Sequence, residues 1–194
     1  MNRELQYFSL DIRKCFNHKL FYKNSDAIKD KSDAGLSGLY IDIKENKIET
    51  YLHSSRGVPF ELSLGEKDNF YCDGQVLQVD AETDELHFLG FSYFGDTNIK
   101  VVLQMENGDQ QTVNVHTREC SADCNNNGWY RVFTPDPDKI ESVACYVTTG
   151  RAKQILYIFD RTCILPCPYK ISTIIFPKNI FFHILAVTLL RKNV

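Results

Sequence analysis

The sequence predicts an all-β protein: a single-domain antiparallel β-sandwich of the jelly-roll kind, with about ten strands. Three observations predict it. Apolar residues recur with a period of two, turn residues separate the runs at regular spacing, and helical periodicity is nearly absent. A length of 194 residues suits one domain, placed at 7–190 with short tails at 1–6 and 191–194.

The elements follow in order. Residues 4–16 carry apolar side chains at 5, 8, 12 and 16, which suits either a helix or an extended lead-in. Leu39, Ile41 and Ile43 alternate with Tyr40, Asp42 and Lys44, and a short run at 48–52 follows. Val58, Phe60, Leu62 and Leu64 alternate with Pro59, Glu61 and Ser63, and strands are next expected at 75–79 and 85–92. Ile99, Val101, Leu103 and Met105 lead into Asn107-Gly108 and then Thr112 to Val115. That is a hairpin, because Asn-Gly tolerates positive φ at both central positions of a tight reversal. The last strands are expected at 142–148, 154–160, 171–176 and 182–190, and residues 119–139 form the longest irregular region, a surface loop.

Composition narrows the function. Lys and Arg number 22 against 25 Asp and Glu, so no basic excess is present to neutralise phosphates, and no nucleic-acid partner is expected. The most apolar stretch, 180–190, is interrupted by His183 and is far shorter than the ~20 residues of a spanning helix, so no membrane span is expected. The amino terminus does not resemble a secretory signal. Seven cysteines, at 15, 72, 120, 124, 145, 163 and 167, are an odd number in a chain too long to need disulfide staples. Packed, reduced thiols in a cytoplasmic setting are therefore the expectation.

Several short stretches, in order, are Asp11-Ile12 with Phe16-Asn17-His18-Lys19; Gly57-Val58-Pro59-Phe60-Glu61-Leu62; Asp68-Asn69 with Asp73-Gly74-Gln75; Leu86-His87-Phe88-Leu89-Gly90 with Gly95-Asp96; Glu106-Asn107-Gly108; and a closing run from Ile174 to Lys178 and His183 to Leu189. Together they resemble the β-sandwich modules that accompany bacterial carbohydrate-active enzymes such as fucosidases and other glycoside hydrolases. The resemblance spans about residues 7 to 190. It implies a bacterial, non-catalytic module that binds carbohydrate or supports a carbohydrate-active enzyme, and a family whose members are commonly exported.

Sugars combine polar hydroxyls with patches of C–H bonds, so exposed aromatic faces beside amides are the side chains to look for. Trp129 and Tyr130, in the long loop beside Asn126 and Asn127, fit that description, and Tyr93 is a further aromatic at a run end. Phe91 and Phe94 read as core. Asp68, Asp73 and Asp96 adjoin glycine turns and suit Asx-turns, with one structural calcium as the functional alternative. Cys120, Cys124, Cys163 and Cys167 have spacings that a zinc site could use, although an Ile-Leu-Pro run between the last two reads as a strand end. No metal and no other cofactor is favoured.

Catalysis is disfavoured by the absence of a nucleophile elbow, a phosphate loop and a His-x-His pair. A small hydrolase or isomerase would need a pocket that gathers His116, Glu119 and another carboxylate. The other alternative is a structural domain that packs against a partner protein and takes no sugar.

Overall fold

The two-residue period becomes strands wherever one face can be buried. A computed structural model describes residues 5–22, 39–42, 50–54, 56–93, 95–119, 139–147 and 153–192. Among them are twelve strands: β1 (Leu5–Ser9), β2 (Phe21–Tyr22), β3 (Leu39–Asp42), β4 (Tyr51–His53), β5 (Pro59–Glu61), β6 (Phe70–Asp73), β7 (Val76–Ser92), β8 (Thr97–Met105), β9 (Gln110–Thr117), β10 (Lys139–Val147), β11 (Lys153–Ile175) and β12 (Lys178–Lys192). A single 3₁₀ turn, Arg13–Cys15, follows β1, so the stretch with borderline helical spacing is extended and then turns once.

Ten strands belong to one sheet, with β1-β12-β7-β11-β10-β3-β2 as its spine; β6 joins β12, and β8 with β9 joins β11. Pairing is antiparallel except between β2 and β3. The long strands change partners along their length. The start of β11 pairs with β10, Phe159–Ile164 pair with Glu85–Gly90 of β7, and Tyr169–Ile175 pair with Val76–Thr83 of β7 and, from Ile171, with β8. Between them, from Ile164 to Tyr169, the register breaks. Pro166 and Pro168 fall there and can donate no ladder hydrogen bond, so the break sits where pairing is cheapest to lose. The Ile-Leu-Pro run is thus a bulge inside one strand and not a strand end. By the same token, 75–79 with 85–92, and 154–160 with 171–176, are two strands rather than four.

Burial explains why the alternation fades. From Leu77 to Thr83, β7 buries every second residue, but from Leu86 to Ser92 every residue is buried. Both faces are covered there. Leu86 and Phe88 enter the large core with Val101, Leu103, Val115, Ile174 and Val187. Leu89 and Phe91 enter a second core with Leu20, Phe21, Val58, Phe60, Leu62 and Leu185. The β4–β5 hairpin forms that outer layer, with Leu62 N–H donating to Thr50 O (2.7 Å) and Thr188 Oγ1 donating to Pro59 O (2.7 Å).

The β8–β9 hairpin forms as expected, but by a longer route than a two-residue turn. Gly108 N–H donates to Met105 O (3.0 Å) and Met105 N–H to Asp109 O (2.8 Å), with φ of +89° at Gly108. Asn107 therefore does not share the centre of a two-residue turn; its Oδ1 accepts the Asp109 N–H at 3.0 Å, and the positive φ falls on glycine, which tolerates it.

Candidate functional site

The clearest cleft lies where the chain leaves β1. Leu10 N–H donates to Val187 O (2.9 Å), which ends the pairing of β1 on β12, and Ile12 is then buried. Asp11 stabilises the turn that follows. Its carboxylate accepts Arg13 N–H (3.1 Å), Arg13 Nε–H (2.8 Å) and Arg13 Nη2–H (2.6 Å). Those Arg13 hydrogen bonds hold the Asp11 carboxyl at about 2, below the ordinary carboxylate range. Across the cleft, β5 ends at Glu61, and Leu62, Ser63 and Leu64 continue the wall. The cleft, open to solvent, has a volume of about 380 Å³, within the roughly 300–1,000 Å³ of small-molecule sites. Asp11, Arg13 and Glu61 line it with Phe16, while half-buried Leu10 and Leu64 supply apolar surface over the buried Ile12, Leu62 and Leu185.

The segment after this turn is tied down. Asn17 Nδ2–H donates to Tyr71 O and Tyr71 N–H donates to Asn17 Oδ1, both at 3.1 Å, so a side-chain amide stands in for a backbone partner. Asp68 is buried, and its carboxylate accepts the N–H groups of Leu20 (2.8 Å) and Phe21 (3.1 Å) and the Lys19 ammonium (2.9 Å). The chain of donors continues inward: Asn69 Nδ2–H donates to Asp68 Oδ1 (2.9 Å), and His183 Nδ1–H donates to Asn69 Oδ1 (3.0 Å). Phe91 stacks on His183 with centroids 4.8 Å apart, and the His18 ring stands edge-on to it at 5.0 Å.

Complete burial, with His18 as a second cause, holds His183 well below its ordinary value of 6.5. The unfolded chain therefore binds a proton that the folded chain excludes. This contribution is complete above pH 6.5 and is lost as pH falls from there towards the depressed folded value. Stability is expected to fall by up to ~1.4 kcal/mol per pH unit per proton in that window. Urea titrations from pH 7.5 to 5 should show this slope, and it should shrink in His183→Asn, which keeps a donor near Asn69 but does not titrate. An unchanged slope would exclude His183 as its source.

A second buried polar cluster underlies the β4–β5 hairpin. His87 Nδ1 is 3.0 Å from Asp160 Oδ1, and Nε2 is 3.0 Å from Glu85 Oε1. From the hairpin turn, Arg56 Nη2–H donates to Asp160 Oδ2 (3.1 Å) and to Thr162 Oγ1. Glu85 and Asp160, after burial itself, raise Tyr7 above its ordinary value.

Other side chains singled out in the sequence have plainer places. Tyr93 is half-buried against the second core, its N–H donating to Phe181 O (2.8 Å), and it does not line the cleft. Trp129, Tyr130, Asn126, Asn127, Cys120 and Cys124 lie outside the described residues, as does Phe94. Asp68 is a buried backbone acceptor and not an exposed Asx-turn residue. Asp73 is exposed, and Asp96 Oδ1 accepts the Glu119 N–H (2.9 Å). Among the described residues, no three of His, Cys, Asp and Glu gather where they could hold a metal ion, so Asp68, Asp73 and Asp96 are dispersed. Cys15, Cys72, Cys163 and Cys167 are free thiols. Cys163 is buried, which pushes its thiol up to about 11, whereas Cys167 is exposed on the far side of the bulge. His116 is exposed on β9, and Glu119 bridges to Ser92.

Asp11, Phe16 and Glu61 are legible in the sequence only as pieces of turn or strand, and no signal there marks Arg13. Nothing in local spacing brings residues 50 positions apart together.

The fold and cleft define a β-sandwich protein with a polar recess beside its edge strand. The family model described as AziU2-like beta-sandwich domain matches residues 16–193, and the chain belongs to that family. No curated protein matches it. Among the described residues no helix is long and apolar enough to cross a membrane.

Proposed function

We propose that this β-sandwich is a non-catalytic carbohydrate-binding module whose ligand sits in the cleft between 9–16 and 61–64. The observation that carries this reading is the composition of the cleft: a bidentate Asp11–Arg13 pair and the Glu61 carboxylate beside Phe16 and aliphatic side chains. Carboxylates and guanidinium groups orient adjacent hydroxyls by charge-assisted hydrogen bonds, and the apolar surface receives the C–H face of the ring. The resemblance to modules of carbohydrate-active enzymes points the same way.

Two carboxylates across a cleft also invite a hydrolase reading, in which one must donate a proton to the leaving group. Asp11, held ionised by Arg13, would not be that donor. The buried histidines His18, His87 and His183 are engaged inside the protein and do not line the cleft, which favours binding over cleavage.

Calorimetric titration against a panel of plant and mucin-type sugars tests the proposal. Binding is expected for at least one sugar, and Glu61→Gln should weaken it at least tenfold, about 1.4 kcal/mol, without moving the melting temperature, because Glu61 is exposed. Absence of binding across the panel would refute the proposal, as would a Glu61→Gln variant that binds normally.

A further inference from the structure

Beyond the cleft lies a second hollow of about 480 Å³, lined by Arg13, Phe16, Ser63, Gly65, Glu66 and Lys67. It shares Arg13, Phe16 and Ser63 with the first, so the two adjoin across those side chains. From this continuity we infer that the site is a groove with two subsites, and that it takes a glycan of at least two units. This inference rests on the carbohydrate reading given above.

Three observations support it. Each hollow alone falls in the size range of a small-molecule site, so together they exceed what one sugar ring would fill. Arg13 stands at the junction. Asp11 fixes its guanidinium in place through Nε and Nη2, and the remaining N–H donors are left for hydroxyls on either side of a glycosidic linkage.

The second hollow is also preformed. Lys19 Nζ donates to Gly65 O and ion-pairs with Asp68, while Asp68 N–H donates to His18 O (3.2 Å), so the loop bearing Glu66 and Lys67 is pinned at both ends. A pinned wall has little freedom to lose when a ligand arrives, so contacts made there appear as affinity. Glu66 and Lys67, exposed on that loop, supply an acceptor and a donor for a second ring.

The test is chain-length dependence, measured by calorimetry on the full chain with matched pairs: glucose and cellobiose, N-acetylglucosamine and N,N′-diacetylchitobiose, galactose and galactobiose. In the pair that binds, the disaccharide is expected to bind at least tenfold more tightly than the monosaccharide. Lys67→Ala should abolish that gain and leave monosaccharide affinity unchanged, whereas Glu61→Gln should weaken both sugars. Equal affinity for the two sugars would overturn the two-subsite groove and leave the first cleft standing, and so would a Lys67→Ala variant that weakens both alike. Failure of every pair to bind would remove the carbohydrate reading and this inference with it.

Discussion

Replacing Gly90 with alanine is expected to destabilise the protein by about 3 kcal/mol, the upper end of what overpacking usually costs. Gly90 lies inside β7, paired with Ile184 of β12 on one side and Phe159 of β11 on the other. A Cβ built there would stand 2.2 Å from His183 O and 3.3 Å from His183 C. Both are backbone atoms, so no side chain can rotate away. Relief would require β12 to retreat where Leu185 already bulges from the ladder between Ile184 and Ala186. It would also pull His183 from Asn69 and from its stack on Phe91. For a domain of this size each kcal/mol moves the melting temperature by roughly 2–4 °C, so a drop of about 6–12 °C is expected. Thermal and urea denaturation of Gly90→Ala would measure it, and a melting temperature within about 2 °C of the parent would refute the close approach.

That glycine shows what the sequence made legible and what it did not. Its place in a strand marks it as unusual, since glycine weakens a strand unless another chain comes close, but the identity of that chain is tertiary information. The alternating faces were readable where burial is described: Val58, Phe60 and Leu62, then Ile99, Val101, Leu103 and Met105, then Val113 and Val115 are buried, while Leu64 at the end of its run is half-buried. The period of two is a direct record of one covered face. It failed where both faces are covered, as at Leu86–Ser92, and where Pro166 and Pro168 interrupt a single long strand.

The cleft was hidden for a different reason. Asp11, Arg13 and Glu61 are ordinary surface residue types, and only the packing of the β4–β5 hairpin over β12 brings them to one recess. The aromatic and amide run Asn126 to Tyr130, by contrast, stands out by composition alone yet falls outside the described residues.

Removing Arg56 tests the clamp on that hairpin. Ser54 shapes the turn, its Oγ accepting the N–H groups of Arg56 (3.3 Å) and Val58 (3.2 Å), and Arg56 then reaches Asp160, which is wholly buried. Without the guanidinium, Asp160 Oδ2 loses its donor and the carboxylate keeps only His87 on Oδ1. Stripping one partner from a buried pair usually costs about 3–5 kcal/mol, because the remaining charge is poorly solvated. The Arg56 side chain is 45% exposed, so water can reach part of the vacated space, and the loss for Arg56→Met is expected at the lower end, about 3 kcal/mol.

The asymmetry of the pair supplies the decisive comparison. Adding Asp160→Asn to Arg56→Met removes the stranded charge and should restore at least ~1 kcal/mol, a non-additivity of the kind expected for groups in direct contact. Hydrogen exchange should show where the stability went: amides of 51–53 and 59–61 would lose protection first, since this two-stranded piece is held to the main sheet by Arg56, Thr188 and the side chains of the second core. If Arg56→Met costs less than about 1 kcal/mol, or if Asp160→Asn only adds to its cost, the ion pair does not hold the hairpin, and the cleft wall at Glu61–Leu64 is kept in place by the Thr188 hydrogen bond and the apolar contacts of the second core.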